Sequence, residues 1–396
     1  MLVDLKRMDK KKILVTGGGS GGHLSSANAL IECLTEEYLF PKENLLYVGG
    51  DLGMEGEKPG NSLEQREMKN KEFRTVFIRA GKLQRRISFT SVKLLLRTVL
   101  GFFDAFKILS EEKPSLVIST GGFVSVPVCT VAWIKRIPIF LHEQTASVGL
   151  SNRVVGKFAK KIYVAFKDSL KYFKKEKAVH VGNNVRKSIF RKEITERTNK
   201  DIVRLVQNKG KRDFLYISGG SLGSQVINKK VLEELDSLLE RYVVLLQTGS
   251  NEKQKGYELA KEKLESLREE KKGSFLPIQY VDDESIGYVL NSMDLFLGRS
   301  GANTVYEIGV LKKHALFIPI PWVTNNEQYL NAKVLEKIGS AKILEEKYLN
   351  ETTLLTELEQ FKKQLLLRDI EYEKLEELFP LNASSTMISD ILKNIS

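Results

Sequence analysis

The stretch Lys12-Ile-Leu-Val-Thr-Gly-Gly-Gly-Ser-Gly-Gly-His23 decides how this chain folds. A short β-prone run ends in a glycine cluster, and Ala27 to Leu34 then read as a helix, so the order is strand, tight turn, helix. Outward from it, short apolar runs at Asn44–Val48, Arg74–Ile78, Leu116–Ser119, Ile137–Leu141 and Lys161–Ala165 alternate with helical patterns. That alternation predicts a parallel sheet covered by helices on both faces. The same opening recurs at Phe214-Leu-Tyr-Ile-Ser-Gly-Gly-Ser-Leu-Gly223. A helix over Gln225–Glu240 follows, then strands at Tyr242–Gln247, Gln279–Val281, Asp294–Leu297 and His314–Ile318.

The expected fold class is therefore α/β: two Rossmann-like, doubly wound parallel-sheet domains facing across a cleft. The join falls near Gly182-Asn-Asn-Val-Arg186, before a charged, poorly patterned stretch to Lys211. Residues 1–185 form the first domain, 186–377 the second, and 378–396 a terminal amphipathic helix that packs back on the first. Lys253–Lys272 reads as one solvated helix. In open α/β sheets, ligands bind at the carboxyl ends of the strands, and here the glycines sit at those ends.

Composition agrees with a globular protein of 396 residues, 42% hydrophobic and 28% charged. At roughly 150 residues per domain this is two to three domains, large enough to need no disulfide or metal staple. Cys33 and Cys129 match no CxxC or zinc spacing and sit in apolar runs, so both read as core thiols. The net charge of +12 favours anionic partners. No signal-peptide core precedes the first strand. The uncharged run Pro114–Ile134 is long enough to span a bilayer. Its Gly121, Gly122 and Pro127 favour a buried strand, a glycine turn and a helix start instead.

Gly17, Gly19 and Gly22 satisfy G-x-G-x-x-G, a loop whose backbone N–H groups approach an anion at a helix N-terminus. The acidic residue that completes a dinucleotide site is missing; Asp51 is the nearest at a strand end. His23 follows at the helix start. Gly121-Gly-Phe-Val-Ser-Val-Pro127 is a second glycine loop, and His142-Glu-Gln144 places polar residues abruptly after an apolar strand. Gly219–Gly223 offers amides and the Ser221 hydroxyl to a phosphate. Arg299-Ser-Gly-Ala-Asn-Thr-Val-Tyr-Glu307 enters a helix bearing Glu307, whose carboxylate suits a ribose; a solvated helix residue is the plainer reading. Pro319-Ile-Pro321 and the amides of Asn325–Asn331 suit either sugar recognition or capping. No D-x-D, Walker A, G-x-S-x-G or H-E-x-x-H is present, so no metal site is expected. Lys82–Lys107 interleaves Lys82, Arg85, Arg86, Lys93, Arg97 and Lys107 with many apolar residues, the pattern of a helix lying on an anionic membrane.

Taken together, these stretches resemble the MurG family, the bacterial undecaprenyldiphospho-muramoylpentapeptide N-acetylglucosaminyltransferases of glycosyltransferase family 28. The resemblance runs in order from Lys12 to Glu346 and includes Glu327-Gln-Tyr-Leu-Asn-Ala332. It implies a GT-B fold with UDP-GlcNAc mainly on the second domain and the lipid-linked acceptor on the first. Matched by motif, Ser20, Gly21 and Gly22 are the loop against the donor, and Arg186 is the linker arginine. Ser221 is the phosphate-binding serine, and Val281 reads uracil through its backbone. Ala302, Asn303, Thr304, Val305, Tyr306 and Glu307 form the ribose-and-phosphate turn, and Gln328 reads the sugar. Three positions depart from the family: Thr145 replaces Asn in the donor-sugar stretch, Asn184 replaces Pro, and Glu327 replaces His or Gln.

The implied reaction is inverting transfer of GlcNAc from UDP-GlcNAc to the 4-hydroxyl of undecaprenyl-diphospho-MurNAc-pentapeptide, without metal or other cofactor. It is expected on the cytoplasmic face of the bacterial inner membrane, with no role for nucleic acid. His23 is the first candidate base and Glu143 the second. The alternatives are another GT-B UDP-sugar transferase with a lipid acceptor, or an NAD-dependent oxidoreductase read from Gly17–Gly22 alone. The second glycine loop and the Arg299–Glu307 turn argue against the oxidoreductase.

Overall fold

The structure is a computed structural model and describes residues 11–18, 21–52, 62–69, 71–81, 89–251, 255–367 and 370–395. Thirteen strands are present among them, in two sheets. The first sheet holds β1 (Ile13–Gly17), β2 (Leu45–Gly50), β3 (Arg74–Ile78), β4 (Leu116–Gly121), β5 (Ile139–Glu143), β6 (Lys161–Val164) and β7 (Ala178–His180). The second holds β8 (Asp213–Ser218), β9 (Tyr242–Gln247), β10 (Phe275–Ile278), β11 (Leu295–Gly298), β12 (Ala315–Phe317) and β13 (Ala341–Ile343). The strand orders are β3-β2-β1-β4-β5-β6-β7 and β10-β9-β8-β11-β12-β13. Every pairing is parallel.

This is the doubly wound order, repeated. The chain divides into Met1–Arg186 with Pro380–Ser396, and Lys187–Phe379. Strands β1, β2, β4, β8 and β9 are buried over nearly their whole length because helices cover both sheet faces. The run Pro114–Ile134 resolves into β4, a glycine turn and the helix Ser125–Ile134. Among the described residues no helix is long and apolar enough to cross a membrane. Both cysteines are buried, and burial pushes the Cys129 thiol up to about 12.

Several elements differ from the expectation. The strand expected at Gln279–Val281 is Phe275–Ile278, because the Val281 N–H donates to the Gln247 side chain at 3.0 Å rather than continuing the ladder. Pro277 is tolerated there because β10 is an edge strand. The three-residue strands β7 and β13 are too short to show a period. The stretch before Lys211 contains the helix Lys200–Gln207, with Asn199 Oδ1 accepting from Asp201 and Ile202 N–H. Lys253–Lys272 contains two helices, Gly256–Ser266 and Glu269–Lys272.

The terminal helix Ala383–Ile395 sits in the first unit, where Ala383, Met387, Ile388 and Ile391 join the core around Leu34, Tyr47 and Tyr163. Asp390 accepts from the Tyr163 hydroxyl at 2.7 Å and pairs with Lys161 at 2.7 Å. Removing a buried branched side chain leaves a cavity that costs about 2–5 kcal/mol. Ile388→Ala should therefore lower the first unit's unfolding midpoint measurably in urea followed by circular dichroism. An unchanged midpoint would mean that the helix contributes nothing to that core.

Candidate active site

Winding reverses in each sheet beside its first strand, between β1 and β4 and between β8 and β11. Loops leave in opposite directions there and open a crevice at the strands' carboxyl ends. In the first unit, Gly21 and Gly22 open the helix Gly21–Glu32 directly after β1, and Ser20 lies outside the described residues. The β1 and β4 loops touch: Gly18 N–H donates to Gly121 O at 3.3 Å. Gly122 has φ +89, and a Cβ there would lie 2.0 Å from Gly18 O.

The same contact positions His23. Its ring is half-buried, with Nδ1 2.7 Å from Thr120 O. The Thr120 hydroxyl donates back to His23 O at 2.9 Å. A nitrogen that close to a carbonyl oxygen must carry the proton, so the neutral ring is the Nδ1–H tautomer and Nε2 is its basic atom. Gln144 Nε2 donates to the same Thr120 carbonyl at 3.0 Å and lies 2.6 Å from His23 Nδ1, so both side chains converge on that oxygen. Thr120 was not singled out in the sequence; its only signal is a polar residue closing an apolar strand.

Glu143 is 1% exposed with both oxygens engaged. Oε1 accepts from the Thr145 N–H at 2.9 Å and lies 2.7 Å from the Thr145 hydroxyl; Oε2 accepts from Asn152 at 2.9 Å. Burial raises its pKa and these donors oppose the rise. This carboxylate organises the loop after β5, and of the two candidate bases the His23 ring is the less enclosed. Neighbouring His142 is fully buried, with Nε2–H donating to Gly182 O at 3.0 Å. Burial drives its pKa down to about 4, so it is neutral. Glu64 was also missed: 3% exposed, it accepts from the Gly50 N–H at 3.2 Å and lies 2.6 Å from the Tyr47 hydroxyl, which also reaches Gly17 O.

In the second unit, Gly220 and Gly223 close a turn after β8 through Gly223 N–H to Gly220 O, 3.1 Å, with Ser221 on it. Gly223 has φ +81, and a Cβ there would lie 1.9 Å from Thr248 O. After β11, Gly301 leads into the helix Ala302–Val310, with Asn303, Thr304, Val305 and Tyr306 in its first turns. Glu307 is 8% exposed, so it is not a solvated helix residue. Arg299 ties the loops together. Nη1 donates to Ile318 O at 2.9 Å, and Nη2 donates to Ser224 Oγ at 2.9 Å and pairs with Glu346 at 2.6 Å. Burial lowers the Arg299 pKa and Glu346 opposes that. Gln328 Oε1 accepts from Ile320 N–H at 3.1 Å, leaving its NH2 as the group that can meet a sugar. Val281 is 2% exposed and its N–H is held by Gln247, so base reading through Val281 falls to its carbonyl. Arg186 ends the first unit. Among the described residues no three His, Cys, Asp or Glu side chains come together as a metal site.

Of the basic, apolar segment Lys82–Lys107, residues 82–88, with Lys82, Arg85 and Arg86, lie outside the described residues. The helix Phe89–Glu112 exposes Val99, Leu100, Phe103 and Phe106. Arg97 does not share that face: its guanidinium pairs with Asp51, which neutralises it. Trp133 and Ile134, at the end of the neighbouring helix, are also exposed, and Lys135 Nζ sits 4.3 Å from the Phe106 ring centre.

The chain matches the glycosyltransferase family 28 N-terminal domain over residues 58–164 and the family 28 C-terminal domain over residues 214–376. It is 32% identical over 358 residues to the UDP-N-acetylglucosamine–N-acetylmuramyl-(pentapeptide) pyrophosphoryl-undecaprenol N-acetylglucosamine transferase of Clostridium novyi, covering 90% of this chain and 92% of that one. The Staphylococcus aureus enzyme of the same description is 33% identical, covering 89% and 91%. Among solved structures, Acinetobacter baumannii MurG superposes with a TM-score of 0.65 at 21% identity, over 97% of this chain and 99% of that one. UDP-GlcNAc 2-epimerase from Neisseria meningitidis gives 0.64 at 15%, over 97% and 100%. At such identities the structural likenesses speak for the fold alone.

The buried His142 has a consequence for stability. An unfolded histidine binds a proton near pH 6.5, and this one only near 4. Its contribution is complete above pH 6.5 and is lost as pH falls toward 4, amounting to about 3 kcal/mol. Urea unfolding at pH 7.5 and 4.5 should show this loss, and His142→Gln should reduce it.

Proposed function

The chain belongs to glycosyltransferase family 28, with the GT-B fold, and we propose for it the reaction of its curated relatives. GlcNAc passes from UDP-GlcNAc to the 4-hydroxyl of the undecaprenyl-diphospho-linked MurNAc-pentapeptide, the step from lipid I to lipid II in peptidoglycan synthesis. The first unit takes the acceptor and the second the donor. The observation that carries the chemistry is the Thr120 carbonyl on His23 Nδ1, which leaves Nε2 as a base.

In this reading His23 Nε2 takes the proton of the acceptor hydroxyl as its oxygen attacks the anomeric carbon. The bond to the UDP oxygen breaks on the opposite side, so the configuration inverts. The diphosphate leaves with its charge facing the amides of Gly219–Gly223, the N-termini of the helices Gln225–Leu238 and Ala302–Val310, Ser221 and Arg186. Such fixed donors need no metal and no cofactor. Glu307 holds the ribose hydroxyls, Val281 O the uracil, and the Gln328 amide the sugar. Gly21, Gly22 and the Thr145 loop held by Glu143 border the reacting groups.

General-base catalysis is worth about 10²–10⁴-fold. His23→Ala should lower kcat by that much in transfer of labelled GlcNAc to a lipid-linked muramyl acceptor, with UDP binding retained. Glu307→Ala should do the reverse, raising KM with kcat little changed, because ribose contacts are equal in ground and transition states. No transfer by the unmodified chain would reject the reading.

A lipid-linked acceptor stays in its bilayer, so the enzyme works as a peripheral protein on the cytoplasmic face of the inner membrane. Phe103, Phe106, Trp133 and Ile134, flanked by Lys107, Lys135 and Arg136, supply apolar contact and positive charge. The net charge serves that surface and UDP rather than nucleic acid. Phe103→Ser with Phe106→Ser and Trp133→Ser should weaken binding to phosphatidylglycerol vesicles at least about tenfold, a change of 1.4 kcal/mol or more. Unchanged vesicle binding would remove this face from the proposal.

A further inference from the structure

We propose that Gln247 is a positioning residue for the donor nucleotide, locking the phosphate-facing turn and the base-reading segment of the second unit into one geometry. Gln247 closes β9 beside Ser218, its register partner at the end of β8. It is 5% exposed. All four hydrogen-bonding positions of its amide are used. Oε1 accepts from the Val281 N–H at 3.0 Å and the Tyr216 hydroxyl at 3.0 Å; Nε2 donates to Ser218 Oγ at 3.1 Å and Gly220 O at 3.3 Å. The orientation is not arbitrary, since a backbone N–H can only donate and a backbone carbonyl can only accept.

The partners belong to different loops. Gly220 lies on the turn that carries Ser221, and Ser218 Oγ also accepts the Gly220 N–H at 3.1 Å. Val281 follows β10, on the far side of β9. One planar amide therefore sets the distance between the turn assigned to the diphosphate and the segment assigned to uracil. UDP is itself a short ligand with one base-to-phosphate span, and pre-setting that span lowers the ordering cost of binding. A hydrocarbon at 247 leaves the Val281 N–H and the Gly220 carbonyl without it. An ionised carboxylate keeps the acceptor side and loses both donors.

The inference rests on the second unit's being the donor site, and the measurement separates the two. UDP-GlcNAc is the probe, because its diphosphate diester does not titrate between pH 5 and 8. The unmodified full chain should bind it; if it does not, the donor-site reading itself fails. Given that binding, Gln247→Leu should weaken it at least tenfold and raise KM with little change in kcat. Gln247→Glu should be weakened as strongly at pH 8 and recover toward the unmodified affinity as pH falls to 5, because burial at this position disfavours the ionised carboxylate and the protonated carboxyl regains one donor. Packing alone predicts no such pH-dependent rescue. Should Gln247→Leu fail to fold, Gln247→Glu carries the test by itself. Near-unmodified affinity in either folded variant at pH 8, or a Gln247→Glu defect that does not respond to pH, overturns the proposal.

Discussion

Both units depend on one constraint, the parallel pairing of the first strand with the strand that starts the second half of the sheet. Where β1 meets β4, and β8 meets β11, consecutive loops turn away to opposite sides. Helix N-termini then converge on a crevice with no strand to fill it. Backbones approach so closely there that side chains are excluded, as at Gly122 against Gly18 and Gly223 against Thr248. Close backbone approach supplies amides in fixed positions, which is what a departing diphosphate needs.

Loops without side chains cannot hold themselves, and buried polar residues at strand ends do it for them. Thr120 grips His23 through ring and backbone. Glu143 collects the Thr145 and Asn152 donors. Arg299 joins Ser224, Ile318 and Glu346. Each is costly to bury without partners, and the partners it takes set the arrangement of its loop.

The departures from the family pattern are accommodated in the same way. Asn184 donates to Ser26 Oγ and accepts from Ser384, both at 3.0 Å, so it ties the end of the first unit's sheet to its terminal helix. A proline there could do neither. The Thr145 hydroxyl lies against Glu143, and Glu327 places its charge in the first turn of the helix Glu327–Lys337, where the helix dipole favours it.

The sequence by itself determined the doubly wound units, their glycine loops, the placement of His23 and Glu307, and the family. These features are local: an apolar run, a glycine cluster and a helix start lie within one short window. Only the tertiary structure decided the proton-bearing nitrogen of His23, the burial of Glu143 and Glu307, the turning of Arg97 to Asp51, and the roles of Thr120, Gln247 and Arg299. Their partners come from other strands, such as Thr120 for His23 and Val281 for Gln247. Which distant groups meet at a strand end is set by sheet order and register, and no local pattern encodes that.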